Sequence, residues 1–181
     1  MAAPPRDRSR YGRGGESQSR AIYSPDVPPL ASPVSPHPVA VRPATEADLG
    51  FVFQDGHLPA PVVRRKVGDG DVFVALQDDE PVGYLRLEWL WSKLPYIELV
   101  HVLAPYRRGG VGRALLAHVE AEAARRGHDA LYSSSQADES EPQAWHRRMG
   151  FEECGLLAGL NEGGVGEVFF RKTLTPPRRA R

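Results

Sequence analysis

Cysteine is nearly absent: the chain has one, Cys154, in 181 residues. A single thiol cannot close an internal disulfide or build a thiolate zinc site, so the fold must rest on packing, as suits a reducing cytosol. Long apolar runs are missing too. The N-terminus has no apolar run of the kind a signal peptide needs, and no stretch approaches the roughly 18 apolar residues of a membrane span. A cytoplasmic protein without a membrane partner is expected. His57, His101, His118 and His128 lack ligand spacing, so no metal site is expected either.

Net charge is the last absence, with 23 Lys and Arg against 23 Asp and Glu. The balance conceals an uneven distribution. Residues 1–38 hold five arginines against three acids and the last seven residues hold three arginines, which leaves 15 basic and 20 acidic residues between them. A slightly acidic body lacks the basic face of a nucleic-acid binder, and no nucleic-acid partner is expected. Residues 1–38 also contain eight of the 17 prolines and no periodic apolar pattern, the composition of a disordered leader. Residues 175–181 read as a basic tail. One domain remains over 39–174, long enough for its own core.

Within that domain, a short strand from Val39 to Arg42 and Thr45 as N-cap predict a helix over 46–54. The pattern over 55–70 is irregular. An apolar run over 72–76, a turn at 78–81, and Leu85, Leu87, Trp89 and Trp91 alternating with Tyr84, Arg86 and Glu88 predict two antiparallel strands. A third apolar run covers 96–103. Beyond it the period becomes helical: Val111, Leu115, Val119 and Ala123 share one row, and Gly127 stops the helix. A strand over 130–133, a helix over 142–149 and strands over 151–157 and 165–172 complete the domain. The Asn161-Glu162-Gly163-Gly164 turn makes the last two a hairpin. Cys154 reads as a small core residue, and Ser133-Ser134-Ser135-Gln136 as the polar end of a strand.

The segment Pro105-Tyr106-Arg107-Arg108-Gly109-Gly110-Val111-Gly112-Arg113 sits between a hydrophobic strand and an amphipathic helix. Its glycines let backbone approach a ligand closely, and the free N–H groups at the helix start attract an anion. A phosphate-binding turn follows. It has neither the G-x-x-x-x-G-K-[ST] spacing of a Walker loop nor the βαβ setting of a dinucleotide fingerprint. Read without further context, it is also a glycine-rich helix start that binds nothing.

The run Val100-His101-Val102, then Pro105, then Arg107-x-x-Gly110-x-Gly112, resembles the acetyl-CoA signature of the GNAT superfamily, Q/R-x-x-G-x-G/A after a V-x-V strand end. Trp145-His146-Arg147-Arg148-Met149-Gly150-Phe151 is similar to the "YEKLGF" end of that family's last helix. The order of elements from Val39 to Leu174 agrees with the family throughout. The resemblance implies an α/β (α+β) fold, a central mixed and mostly antiparallel sheet that is splayed between its fourth and fifth strands and flanked by helices. It implies acetyl transfer from acetyl-CoA to a primary amine, on a small molecule or a peptide, by direct attack in a ternary complex.

The resemblance also implies a set of site residues. The backbone of Arg108, Gly109, Gly110, Val111, Gly112 and Arg113 would hold the pyrophosphate, with Arg107 opening the motif. The strand end Val100-His101-Val102 would lie along the pantetheine, with Val100 and Val102 bonding it and the acetyl carbonyl in the manner of an oxyanion hole. Glu98 stands where several GNAT enzymes carry a glutamate base; the other reading is a structural residue on the polar face of its strand. His146 takes the place of the tyrosine that protonates the departing thiolate in this family; the other reading is a helix-face histidine packed by Trp145. The family's cofactor-contacting asparagine would fall on Glu139, so that contact is not carried over. A non-catalytic acyl-CoA sensor, and a scaffold that holds a partner through Arg6, Arg8, Arg10 and Arg13, stay open as other classes of function. A homodimer stays open as well, and the acceptor amine is unnamed.

Overall fold

Thr45 begins the first helical turn as its N-cap: Asp48 accepts hydrogen bonds from the Thr45 N–H and hydroxyl, and a bidentate pair from Arg42 at 2.7 and 2.9 Å. These donors hold the Asp48 carboxyl at about 2, well below the ordinary carboxylate range. The computed structural model describes residues 38–175, so the leader, Pro38 excepted, and the tail beyond Thr175 lie outside the described residues. The single helix expected over 46–54 is instead a 3-10 turn, Glu46–Asp48, followed by a short helix α1, Leu49–Val52. The segment expected to be irregular contains helix α2, Ala60–Gly68. Pro61 obscured it, yet proline in a first turn removes no hydrogen bond. Val63, Lys66 and Val67 share its buried side.

One seven-stranded sheet organises the described residues, in the order β1-β2-β3-β4-β5-β7-β6. The strands are β1 (Ala40–Pro43), β2 (Val72–Gln77), β3 (Glu80–Leu90), β4 (Leu94–Val102), β5 (Ala130–Gln136), β6 (Glu152–Leu157) and β7 (Glu167–Thr173). Every neighbouring pair is antiparallel except β4 and β5. The β2–β3 turn places Asp78 and Asp79 at φ 50° and 66°, the positive pair that suits a two-residue hairpin. Helix α3 (Val111–Arg125) buries the expected row of Val111, Leu115, Val119 and Ala123 against one face of the sheet. Helices α1 and α2 pack on a second cluster that includes Val72, Val74 and Tyr84. Helix α4 (Ser140–Arg148) follows β5.

Because helices cover both faces, the alternation in β3 does not separate wet from dry: Tyr84 and Arg86 are as buried as Leu85 and Leu87. Trp91 departs from the alternation, lying 79% exposed in the β3–β4 turn. Cys154 is exposed, contrary to the core position expected for it. It lies at a register shift between Glu153 and Gly155 on β6, an edge strand whose six residues are all exposed.

Two irregularities in the sheet open the site. The β3–β4 register steps from Leu87↔Ile97 to Arg86↔Leu99, leaving Glu98 as the extra residue of a β-bulge. The parallel β4–β5 pairing is limited to Tyr96↔Tyr132 and Ile97↔Ser133, and beyond Ile97 the two strands part.

Candidate active site

Where β4 and β5 separate, a cleft of about 1020 Å³ opens between them, walled by the turn before α3 on one side and by α4 on another. The turn presents backbone to this cleft. Gly110 is the N-cap of α3 with φ 91°, it carries no side-chain cap, and nothing lies within 4 Å of where a Cβ would stand. The first hydrogen bond into the helix is Ala114 N–H to Gly110 O, so the N–H groups of Val111, Gly112 and Arg113 have no intrahelical acceptor. Arg108, at φ 63°, shares the left-handed geometry of the turn. Arg107 folds back to donate from Nε to the Val102 carbonyl at 3.0 Å. The turn therefore offers a row of unsatisfied donors at the positive end of a 15-residue helix, with cationic side chains beside it. That donor set fits a pyrophosphate.

Val100 and Val102 pack on the α3 side of β4, while the His101 ring stacks on Tyr84 on the opposite face, with ring centroids 5.0 Å apart. All three line the cleft. Beyond Ile97 the β4 edge facing β5 has no strand to pair with, so its main-chain groups face the opening.

The bulge turns Glu98 onto the α2 face, into a network of charges. Its Oε2 lies 3.3 Å from Lys66 Nζ and 3.6 Å from Arg86 Nε, and both that oxygen and that nitrogen are buried without a hydrogen-bond partner. Lys66 also donates to Glu88 at 2.6 Å and to the Leu87 carbonyl at 2.8 Å. Arg86 pairs with Asp55 at 2.5 Å, and the Tyr84 hydroxyl donates to the same carboxylate. Burial pushes the Asp55 carboxyl up, but Arg86 and Tyr84 outweigh it and bring it to about 2.

His146 is buried at the opposite wall, stacked on Phe170 at 4.5 Å with an interplanar angle of 5°. Its Nδ1 lies 2.8 Å from the Pro142 carbonyl, which can only accept, so the proton sits on Nδ1. Nε2 lies 2.8 Å from the Ser133 hydroxyl, which stands 3.2 Å from the Ile97 carbonyl. Burial pushes the His146 imidazole below its ordinary 6.5. With Nε2 the acceptor, Ser133 donates its one proton to the ring, and the neutral imidazole ties α4 to β5 at the last paired residues before the splay.

A depressed imidazole makes the unfolded chain the better proton acceptor, so stability is complete above 6.5 and falls as pH drops below it. The melting temperature should decline between about pH 7 and 5. His146→Phe should make that slope shallower, His101 carrying a remainder of the same sign. The variant should also lose about 1–3 kcal/mol, since Ser133 and the Pro142 carbonyl give up a partner. An unchanged slope in the variant would refute the buried neutral ring.

A third group lines the cleft that the sequence did not announce. Glu167, at the start of β7, accepts hydrogen bonds from Ser134 and from Asn161 Nδ2, the latter at 2.7 Å. Ser134 spends its one proton on Glu167, so the Tyr96 hydroxyl donates to Ser134, at 2.6 Å. Burial raises the Tyr96 hydroxyl, and the Glu167 and Glu98 carboxylates push it the same way. The Ser133–Gln136 run, read as a polar strand end, is a wall of the cleft, and Glu139 lies exposed at the start of α4 on its rim.

A mixed sheet splayed at one parallel pair, with a helix start beside the splay whose free donors fit a pyrophosphate, is the arrangement of an acyl-CoA-dependent acyltransferase. The chain belongs to the acetyltransferase (GNAT) family, whose model matches residues 39–151. It is 32% identical over 154 residues to the aminoglycoside N(6')-acetyltransferase type 1 of Stenotrophomonas maltophilia, covering 75% of this chain and 94% of that one. The ribosomal-protein-alanine N-acetyltransferase of Brucella melitensis superposes with a TM-score of 0.64 at 26% identity, over 75% of this chain and 99% of that one. A Bacillus anthracis structure in complex with acetyl coenzyme A aligns at TM-score 0.54 and 20% identity, over 57% of this chain and 62% of that one. The protein is an acetyltransferase, and acetyl-CoA is its acyl donor. No helix among the described residues is long and apolar enough to cross a membrane.

Proposed function

We propose that this chain N-acetylates a small, cationic primary amine by direct attack in a ternary complex, with its catalytic domain over 39–174. The observation that carries this reading is the division of charge along the cleft. Arg107, Arg108 and Arg113 flank the turn, whereas the carboxylates of Glu98 and Glu167 stand just past the last β4–β5 pair, Glu98 with Arg86 beside it and Glu167 with no ion-pair partner among the described residues. An anionic donor and a cationic acceptor are thereby drawn to different ends of one opening. The aminoglycoside-acetylating relative supports the same acceptor chemistry, since aminoglycosides are small molecules with several amino groups.

In this reading the backbone from Arg108 to Arg113 holds the pyrophosphate, and the main-chain edge at Val100 and Val102, which no strand pairs, receives the pantetheine arm, its N–H groups polarising the acetyl carbonyl. His101 contributes main chain only, because its ring is turned to Tyr84. An amine with a pKa of about 10.4 is almost wholly protonated at neutral pH, so its proton must be removed before attack. Glu98 takes it, directly or through one water. The engaged ring nitrogens of His146 support a positioning role instead of the proton donation that the family resemblance implies. A neutral ring whose only N–H is held by Pro142 has none to give. The exposed Cys154 thiol suits the cytoplasm, where thiols stay reduced.

A thiol-release screen with acetyl-CoA across aminoglycosides, polyamines, free amino acids and peptide N-termini tests the proposal. Turnover confined to small polycationic amines is the expected result. Turnover confined to peptide N-termini would overturn it.

A further inference from the structure

Glu98 and Glu167 both face the cleft, yet their surroundings differ. Glu98 has two cations beside it, Lys66 and Arg86. Glu167 is half-buried and its carboxylate is held only by neutral donors, Ser134 and Asn161, with no ion-pair partner among the described residues. A carboxylate has about four acceptor positions, and two of these remain open. A partly buried charge without a counter-ion is costly unless something else supplies one.

Register places the two carboxylates on one face of the sheet. Tyr96 and Ser134 are joined by a hydrogen bond across the β4–β5 boundary, and Ser134 reaches Glu167 on β7. Where β4 and β5 still pair, β4 and β7 are two strand spacings apart, roughly 10 Å between backbones, and past Ile97 the gap widens. Asn161, which also binds Glu167, belongs to the β6–β7 loop that lines the same cleft. The unpartnered Arg86 Nε and Glu98 Oε2 mark this end of the cleft as one whose polar groups the chain itself does not satisfy.

We infer that Glu167 is a specificity-determining residue that binds a second ammonium group of the acceptor while the reacting amine lies at Glu98. The inference rests on the proposed function and names its substrate class more narrowly: amines with at least two cationic nitrogens. The acceptor's far ammonium donates to the open positions of Glu167, and Ser134 and Asn161 keep that carboxylate in place. Monoamines fill the reacting position alone and lose this contact.

The experiment compares spermidine and kanamycin with n-butylamine and glucosamine, using thiol release and calorimetry on the CoA-loaded protein. Wild-type chain should favour the polycations, and Glu167→Gln should reduce their kcat/KM and affinity about tenfold to a hundredfold. Rates with the monoamines should fall far less than those with the polycations, the KM for acetyl-CoA should hold, and the melting temperature should drop slightly, since an amide leaves one of the Ser134 and Asn161 donors without its acceptor. Glu167→Asp, which keeps the charge, should retain part of the preference. Equal losses for monoamines and polycations would make Glu167 a structural tie and overturn the inference, as would unaltered preference in Glu167→Gln or wild-type chain that binds no polycation. If the wild type binds polycations through Glu167 but releases no thiol with any amine, the proposed acetyl transfer fails while the ammonium site stands.

Discussion

Gly110→Glu is expected to abolish acetyl-CoA binding in a chain that still folds. Nothing lies within 4 Å of the position its Cβ would take, so the substitution starts in open space at a residue that lines the cleft. Its carboxylate then stands where unsatisfied N–H groups await a phosphate, and repels the donor's pyrophosphate. The backbone cost is separate: φ of 91° is left-handed, and a residue with a Cβ loses about 1–2 kcal/mol there. The same carboxylate near a helix N-terminus is favourable to the helix, which limits the damage to folding. Gly110→Asn isolates the charge, because asparagine tolerates positive φ and adds no anion. Calorimetry should show affinity reduced about a hundredfold or more for Glu and less than about tenfold for Asn. Equal losses in both variants would assign the effect to backbone strain, and near-native affinity in Gly110→Glu would remove the turn from the site.

The other large effect is expected at Glu98. Glu98→Gln should lower kcat about a hundredfold or more at neutral pH, the usual worth of a positioned base, with acetyl-CoA affinity little changed. The deficit should narrow as pH rises toward the amine's own pKa of about 10.4, where the acceptor loses its proton unaided. Lys66 and Arg86 then flank a neutral amide. A modest fall in melting temperature should therefore accompany the kinetic effect. A pH–rate profile of unaltered shape would reduce Glu98 to a partner of those two cations.

The turn before α3 was legible because its signal is local. Glycines at 109, 110 and 112, a preceding apolar strand and the row Val111, Leu115, Val119 and Ala123 all lie within a few residues of one another, and a helix start needs nothing more distant to form. Glu98 was legible only through family resemblance. The bulge that turns it toward Lys66 and Arg86 is a property of the β3–β4 register, which no window of one strand reveals. Helix α2 escaped notice because Pro61 and a short length weaken its period, and its buried Val63 and Val67 acquire meaning only from the sheet they cover.

The sequence by itself determined the class of fold, the amphipathic helix and its glycine-rich start, and the family through two motifs in order. These follow from period, turn chemistry and backbone freedom, which are local. The tertiary structure alone decided which side chains share the cleft. Strand order β5-β7-β6 carries Glu167 beside Ser134, more than thirty residues away in sequence. Packing against Phe170 buries His146, and its hydrogen bond to the Pro142 carbonyl occupies the one proton of its neutral ring. Position on an exposed edge strand leaves Cys154 outside the core that its residue type favours. Burial and charge pairing depend on distances between remote segments, and those distances exist only once the sheet has chosen its order and register.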